Sequence, residues 1–154
     1  MPVLSRATRG DLPAVLALIR QCELLETGVA EAIAGFCVAR SADALVGCAG
    51  LETYGELGLL RSVAVELSAR HAGLGTRLVD GVAAAARAQG LRELFLLTST
   101  AASFFERRGF VSVLRSSVPA PIAGSWEFRV GCPQTARAMR LLLKDIWSVV
   151  EGGQ

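Results

Sequence analysis

The sequence is short of lysine, histidine and tyrosine: Lys144, His71 and Tyr54 are the only examples of their kinds. Without a lysine next to glycine, no Walker-type nucleotide loop can be built. One histidine, with cysteines at positions 22, 37, 48 and 132 that form no CxxC pair, argues against a structural zinc site. No apolar run approaches the ~20 residues that cross a bilayer. Met1 to Arg6 leads straight into a polar turn, without the apolar stretch of a secretory signal. The expectation is a cytoplasmic protein with no membrane partner. In that compartment Cys22, Cys37, Cys48 and Cys132 read as reduced, small apolar residues. The net charge is +2 and the bases are scattered, so the concentrated basic patch of a nucleic-acid binder is missing too.

The chain has 154 residues, 52% of them hydrophobic and 19% charged. A chain of this size buries about 68–70% of its unfolded surface, enough for one core, and the composition is too apolar for disorder. A single domain over 1–154, with an ordered core over about 3–144, is expected. Residues 3–7 read as a strand. Thr8 and Asp11 form an N-terminal capping pattern before a helix over 10–22, whose apolar face is Leu12, Val15, Leu16 and Ile19. A weaker helix follows over 26–34, then strands over 36–40 and 45–53 joined by a turn at 41–44. That turn sets Arg40 opposite Leu45 and Cys37 opposite Cys48, a spacing that permits a dithiol or a cross-strand disulfide. Leu57 to Val65 reads as a buried strand. A helix over 74–89 ends at Gly90. Further strands cover 93–98, 110–115 and 136–143, with a short helix over 101–108 and an irregular or short helical stretch around Pro119 and Pro121. The order β-α-α-β-β-β-α-β-α-β-β predicts a mixed α/β or α+β fold, a sheet with helices on its faces.

The chemistry concentrates where the strand 57–65 runs through Arg70-x-x-Gly73-x-Gly75 into the helix from Leu74. A helix N-terminus presents unpaired N–H groups and about half a positive charge. Glycines let the main chain close around a diphosphate. A Rossmann loop is excluded because Leu78 occupies the place of its third glycine. An ordinary glycine turn before a helix stays open on spacing alone.

The Arg70-x-x-Gly73-x-Gly75 loop resembles the (Gln/Arg)-x-x-Gly-x-(Gly/Ala) acetyl-CoA loop of GNAT acetyltransferases. Leu59 to Val65 is similar to that family's central bulged strand. Arg92 to Thr98, followed by Ser103 to Phe110, is similar to its fifth strand and the helix after it. The resemblance runs over about residues 3–144. Finer likenesses point to N-acetylglutamate synthase acetyltransferase domains and, through Gly50-Leu51-Glu52, Leu59 to Ser62, Val118-Pro119-Ala120, Glu127-Phe128 and Cys132-Pro133, to acetyltransferases named for arsenic-resistance clusters. These likenesses imply a GNAT fold, mostly antiparallel with splayed central strands. They also imply acetyl-CoA as cosubstrate and a small-molecule amine, an amino acid or amino-acid-like toxin, as acceptor. A homodimer is the assembly implied.

Carried over by position, the resemblance puts the diphosphate on the main-chain N–H groups of Ala72, Gly73, Leu74, Gly75 and Thr76, with Arg70 at the start of the loop. It puts the pantetheine arm along Val63, Ala64 and Val65, with Phe105 against it. An N–H near Val63 or Ala64 is the expected oxyanion donor. Glu52 is the leading general base, with Glu23 and Glu56 behind it; a solvated strand-end carboxylate is the alternative for Glu52. Arg61, a charge in an apolar strand, binds a substrate carboxylate or pairs with a nearby glutamate. Phe105 stands where many members of the family carry a proton-donating tyrosine. Ser62, Thr98, Ser99 or Ser103 is left to hydrogen-bond the leaving thiolate, and Tyr54 is a further candidate. A cofactor-binding domain without turnover and a protein N-acetyltransferase are the competing functions.

Overall fold

The structure, a computed structural model, describes residues 1–131 and 135–143. Cys132, Pro133 and Lys144, used in the sequence reading, lie outside these residues. Seven strands form one sheet in the order β1-β2-β3-β4-β5-β7-β6: β1 Val3–Arg6, β2 Phe36–Ser41, β3 Ala44–Tyr54, β4 Leu57–Val65, β5 Glu93–Thr98, β6 Val111–Val113 and β7 Arg137–Leu142. Every pairing is antiparallel except β4 with β5. The helices are α1 Leu12–Gln21, α2 Val29–Ala32, α3 Leu74–Ala88, α4 Ala102–Arg107 and α5 Ala120–Ala123.

Alternation along the strands feeds two cores. One face carries Leu51, Leu60, Leu94, Leu96 and Met139 against Leu78, Val79 and Val82 of α3 and Phe105 of α4. The other carries Phe36, Val38 and Cys48 against Val15 and Ile19 of α1. Beside it on the same face, Leu59, Phe95 and Leu97 pack on Ile122 of α5. In the 3-10 turn Arg9–Asp11 that leads into α1 the expected cap is present: Thr8 N–H donates to Asp11 Oδ2 at 2.8 Å. Arg40 also holds Asp11 from β2. Thr8's hydrogen bond, more than Arg40, depresses the Asp11 carboxyl below its ordinary value. Gly90, at φ 82°, ends α3 as expected. Among the described residues no helix is long and apolar enough to cross a membrane.

The expected Cys37–Cys48 pairing is overturned by a bulge. Arg40 does face Leu45, but the register shifts between Ala39 and Arg40, so Cys37 faces Ala49 and Val38 faces Cys48. A one-residue slip moves a side chain to the opposite face of a sheet. Cys37 therefore packs on the α3 side and Cys48 on the α1 side. Cys22, Cys37 and Cys48 are free thiols.

Two departures from regular pairing create the site. Gly50 faces Arg61 but Cys48 faces Ala64, so β4 carries an extra residue opposite Ala49. Ser62 takes a left-handed conformation there, at φ 58°. In addition, β4 and β5 pair only from Leu57 to Leu59 and from Glu93 to Phe95. Beyond that the two strands part, and a cleft opens between them.

Candidate active site

The bulge is built from the chain's own polar groups. Cys48 Sγ donates to Ser62 O at 3.3 Å, satisfying a carbonyl that has left the ladder. Burial pushes the Cys48 thiol up to about 12, so it stays a neutral donor. Arg61, whose side chain is 0% exposed, uses three donor groups: Nε to Ser62 Oγ at 3.0 Å, Nη1 to Glu52 Oε2 at 2.8 Å and Nη2 to Leu25 O at 3.0 Å. The arginine thus ties the bulge to β3 and to the chain following α1. Tyr54 Oη donates to the other Glu52 oxygen at 2.5 Å. Burial first, then Glu52, raises the Tyr54 hydroxyl to about 12.

The cleft has a volume of about 450 Å³. Arg61, Ser62 and Val63 of β4 form one wall, Leu97 to Ala101 with Phe104 and Phe105 form another, and Cys22 to Leu25 and Glu127 close the third side. Phe105 is held by edge-on contacts with Phe104 and Phe110, at 5.0 and 5.6 Å between ring centres. Thr98 Oγ1 accepts from Ala101 N–H at 3.0 Å, which shapes the turn out of β5.

At the end of β4 the chain turns through a short 3-10 segment, Leu67–Ala69, into α3. Arg70 Nε donates to Val65 O at 2.9 Å and so fixes the start of the loop. His71 and Gly73 have positive φ, 69° and 80°. The first hydrogen bond of α3 runs from Arg77 N–H to Gly73 O. Geometry then leaves the N–H groups of Leu74, Gly75 and Thr76 without intrahelical partners. Among the described residues, no loop hydrogen bond uses the main-chain N–H of any residue from Ala72 to Thr76. A Cβ added to Gly73 would point into open space. Phe104, part of the cleft wall, comes within 3.6 Å of where a Gly75 Cβ would lie. The loop and the cleft therefore meet. A row of unpaired N–H groups beside an apolar, parted pair of strands fits a diphosphate with an extended arm.

The sequence-derived residues divide accordingly. Arg61, Ser62, Val63, Thr98 and Phe105 line the cleft, while Ala64 is buried toward α1 and the Val65 carbonyl is taken by Arg70. Glu52 is engaged by Arg61 and Tyr54, and it lines a separate, wider cavity of about 850 Å³ together with Tyr54 and Trp126. Glu23 lines the cleft, at φ 57°. Glu56 is exposed on the β3–β4 turn beside Arg92. Sequence reasoning missed Glu127 as a site residue, although a lone carboxylate between Trp126 and Phe128 carries the same signal that marked Arg61. Burial raises its carboxyl above the ordinary range, and Arg61 opposes that rise.

Residues 32–112, more than half of the chain, match the profile of the acetyltransferase (GNAT) domain. The amino-acid acetyltransferase of Mycobacterium tuberculosis is 34% identical over 131 residues, covering 79% of this chain and 75% of that protein. The amino-acid acetyltransferase of Pseudomonas fluorescens is 32% identical over 112 residues, and the match spans only 25% of its length. Among solved structures, N-acetylglutamate synthase from Neisseria gonorrhoeae, complexed with coenzyme A and N-acetyl-glutamate, superposes with a TM-score of 0.82 at 24% identity. That match covers 94% of this chain and 36% of the synthase. A Mycobacterium tuberculosis protein crystallised with CoA gives a TM-score of 0.75 at 27% identity, over 92% of this chain and 99% of the other. By the profile match and by the 34% identical relative, the chain belongs to the GNAT acetyltransferases.

Proposed function

We propose that this chain transfers the acetyl group of acetyl-CoA to the α-amine of an amino acid or an amino-acid-like toxin. The observation that carries the reading is the row of unpaired N–H groups from Ala72 to Thr76, leading past Phe104 into the cleft. The curated relatives named as amino-acid acetyltransferases support the substrate class. The neighbours crystallised with coenzyme A support the cosubstrate.

Acetyl-CoA supplies an activated thioester that a neutral amine can attack. The chain's own groups do the rest. N–H groups at the start of α3 hold the diphosphate, helped by the helix dipole. Val63 lines the arm from β4, and Phe105 packs against it. An N–H freed by the bulge, at Val63 or Ala64, faces the developing oxyanion. Arg61, its side chain fully covered and bonded to Glu52, Ser62 and Leu25, fixes the shape of the cleft wall against which the substrate rests. Glu52, bound to Arg61 and Tyr54, orients that guanidinium. Ser62 and Thr98, hydroxyls of the cleft wall, would hydrogen-bond the departing thiolate, which needs little help because a thiol of pKa ~8.5 is a good leaving group.

The test is thiol release from acetyl-CoA with a panel of free amino acids, their decarboxylated amines and short peptides. Release with amino acids and little with the decarboxylated amines is expected. Release with peptides alone makes the chain a protein acetyltransferase. Binding of acetyl-CoA without release makes it an inert binding domain, the reading that Phe105 favours.

A further inference from the structure

Glu127 is left without a task by the roles assigned so far. It opens a π-type turn, Glu127–Gly131, just after α5, and is only 8% exposed. Among the described residues its Oε2 atom is covered and accepts no hydrogen bond. The side chain lines the cleft with Arg61, Ser62 and Thr98. Two charged groups act on it: Arg61 from β4 and Glu52 from β3. Glu23 faces the same cleft from the chain after α1. Arg61 does not satisfy Glu127, because its hydrogen bonds go to Glu52, Ser62 and Leu25. A buried carboxylate with a bare oxygen is costly, and unpaired polar atoms of this kind gather where a ligand completes them. Glu52 differs: both of its oxygens already accept a hydrogen bond, one from Tyr54 and one from Arg61.

We infer that Glu127 receives the ammonium group of the substrate and removes its proton before acyl transfer. This rests on the amino-acid acetyltransferase reading above. One N–H bond of the ammonium breaks and one O–H bond forms on the Glu127 carboxylate. The amine is left neutral, its lone pair free to form the amide bond. The proton then passes to solvent and the carboxylate is restored. Burial raises the Glu127 carboxyl, which narrows its gap to an ammonium and improves it as a base.

The experiment compares the wild-type chain with E127Q and E127D. Thiol release is followed with the amino-acid panel from mildly acid to alkaline pH, with CoA affinity by calorimetry and Tm alongside. Loss of a general base predicts a fall in kcat/KM of about 10²–10⁴-fold in E127Q at neutral pH. Activity returns as the pH nears the amine's own pKa, where solution supplies the neutral form. E127D keeps more activity than E127Q, and CoA affinity is unchanged. A raised folded pKa means that ionised Glu127 costs stability at neutral pH, so E127Q melts at or above the wild-type Tm. The inference is overturned if E127Q stays within about twofold of wild type. It is equally overturned if activity and Tm fall together with the pH profile unaltered, the mark of a purely structural residue. Wild-type protein that binds CoA but releases thiol with no amine overturns the functional reading and the role of Glu127 with it. Wild-type turnover with an unaffected E127Q overturns the role of Glu127 alone.

Discussion

Replacing Arg61 by methionine strips the cleft of its organising cation. The guanidinium is fully covered and makes hydrogen bonds to Glu52, Ser62 and Leu25. Its loss leaves Glu52 with Tyr54 and takes from Glu127, among the described residues, the cation acting on it. Removing one partner of a buried ion pair costs about 3–5 kcal/mol. For a domain of this size, each kcal/mol lowers Tm by about 2–4 °C, so a fall of about 6–20 °C is expected. Urea and thermal unfolding at neutral pH measure it. The double variant R61M/E52Q should regain part of the loss, because the stranded charge is gone. As the pH falls, the raised Glu127 protonates ahead of an ordinary carboxylate and its share of the penalty disappears. A loss in R61M below about 1 kcal/mol, the range of exposed pairs, would refute the view that this cation holds β3, the bulge and the chain after α1 together.

Further outcomes follow from other parts of the structure. Gly73→Val forces a β-branched residue to φ 80° at the mouth of the loop. The strain of about 1–3 kcal/mol, with the added side chain among the open N–H groups, should abolish measurable CoA binding by calorimetry while α3 survives in circular dichroism. Glu52→Gln should raise KM for amino acids more than it lowers kcat, since it loosens Arg61; a lost ascending limb in the pH–rate profile would return Glu52 to the role of base. Cys48, with its thiol pushed up to about 12 and its side chain buried, should resist a thiol reagent at neutral pH until the protein unfolds. Asp11 carries a depressed pKa, so its support for the α1 cap is complete above its unfolded value near 3.8 and is lost as the pH drops through the lower folded value. Wild type and Asp11→Asn should therefore converge in stability in acid.

Much of the fold was legible because local signals and tertiary packing agreed. The Thr8–Asp11 cap, the apolar face of α3 and the Gly90 stop each sit where spacing put them. β4 was recognisable as a buried strand from its unbroken apolar run, and it spans Leu57–Val65 as expected. The register of β2 on β3 was not legible, because a bulge between Ala39 and Arg40 leaves no mark in composition and one residue of slip is enough to separate Cys37 from Cys48. In the site, Arg61 stood out as a charge in an apolar strand. Its partner was one of two readings, and only packing shows that Glu52, Ser62 and Leu25 share it. Glu127 was passed over because it lies in an irregular segment, far along the chain from the strands whose gap it closes. Pattern reading follows periodic elements, whereas a cleft is completed by the turns between them.

The central claim is that open main-chain N–H groups at the start of α3 hold a diphosphate and direct its arm between β4 and β5. A titration of isotope-labelled protein with CoA, followed by amide nitrogen–proton spectra, tests it directly. The largest shifts are expected at Ala72 to Thr76, with accompanying shifts at Val63 and near Phe104. Shifts confined to the other cavity, around Val82, Ala85 and Tyr54, or none at saturating CoA, would contradict it.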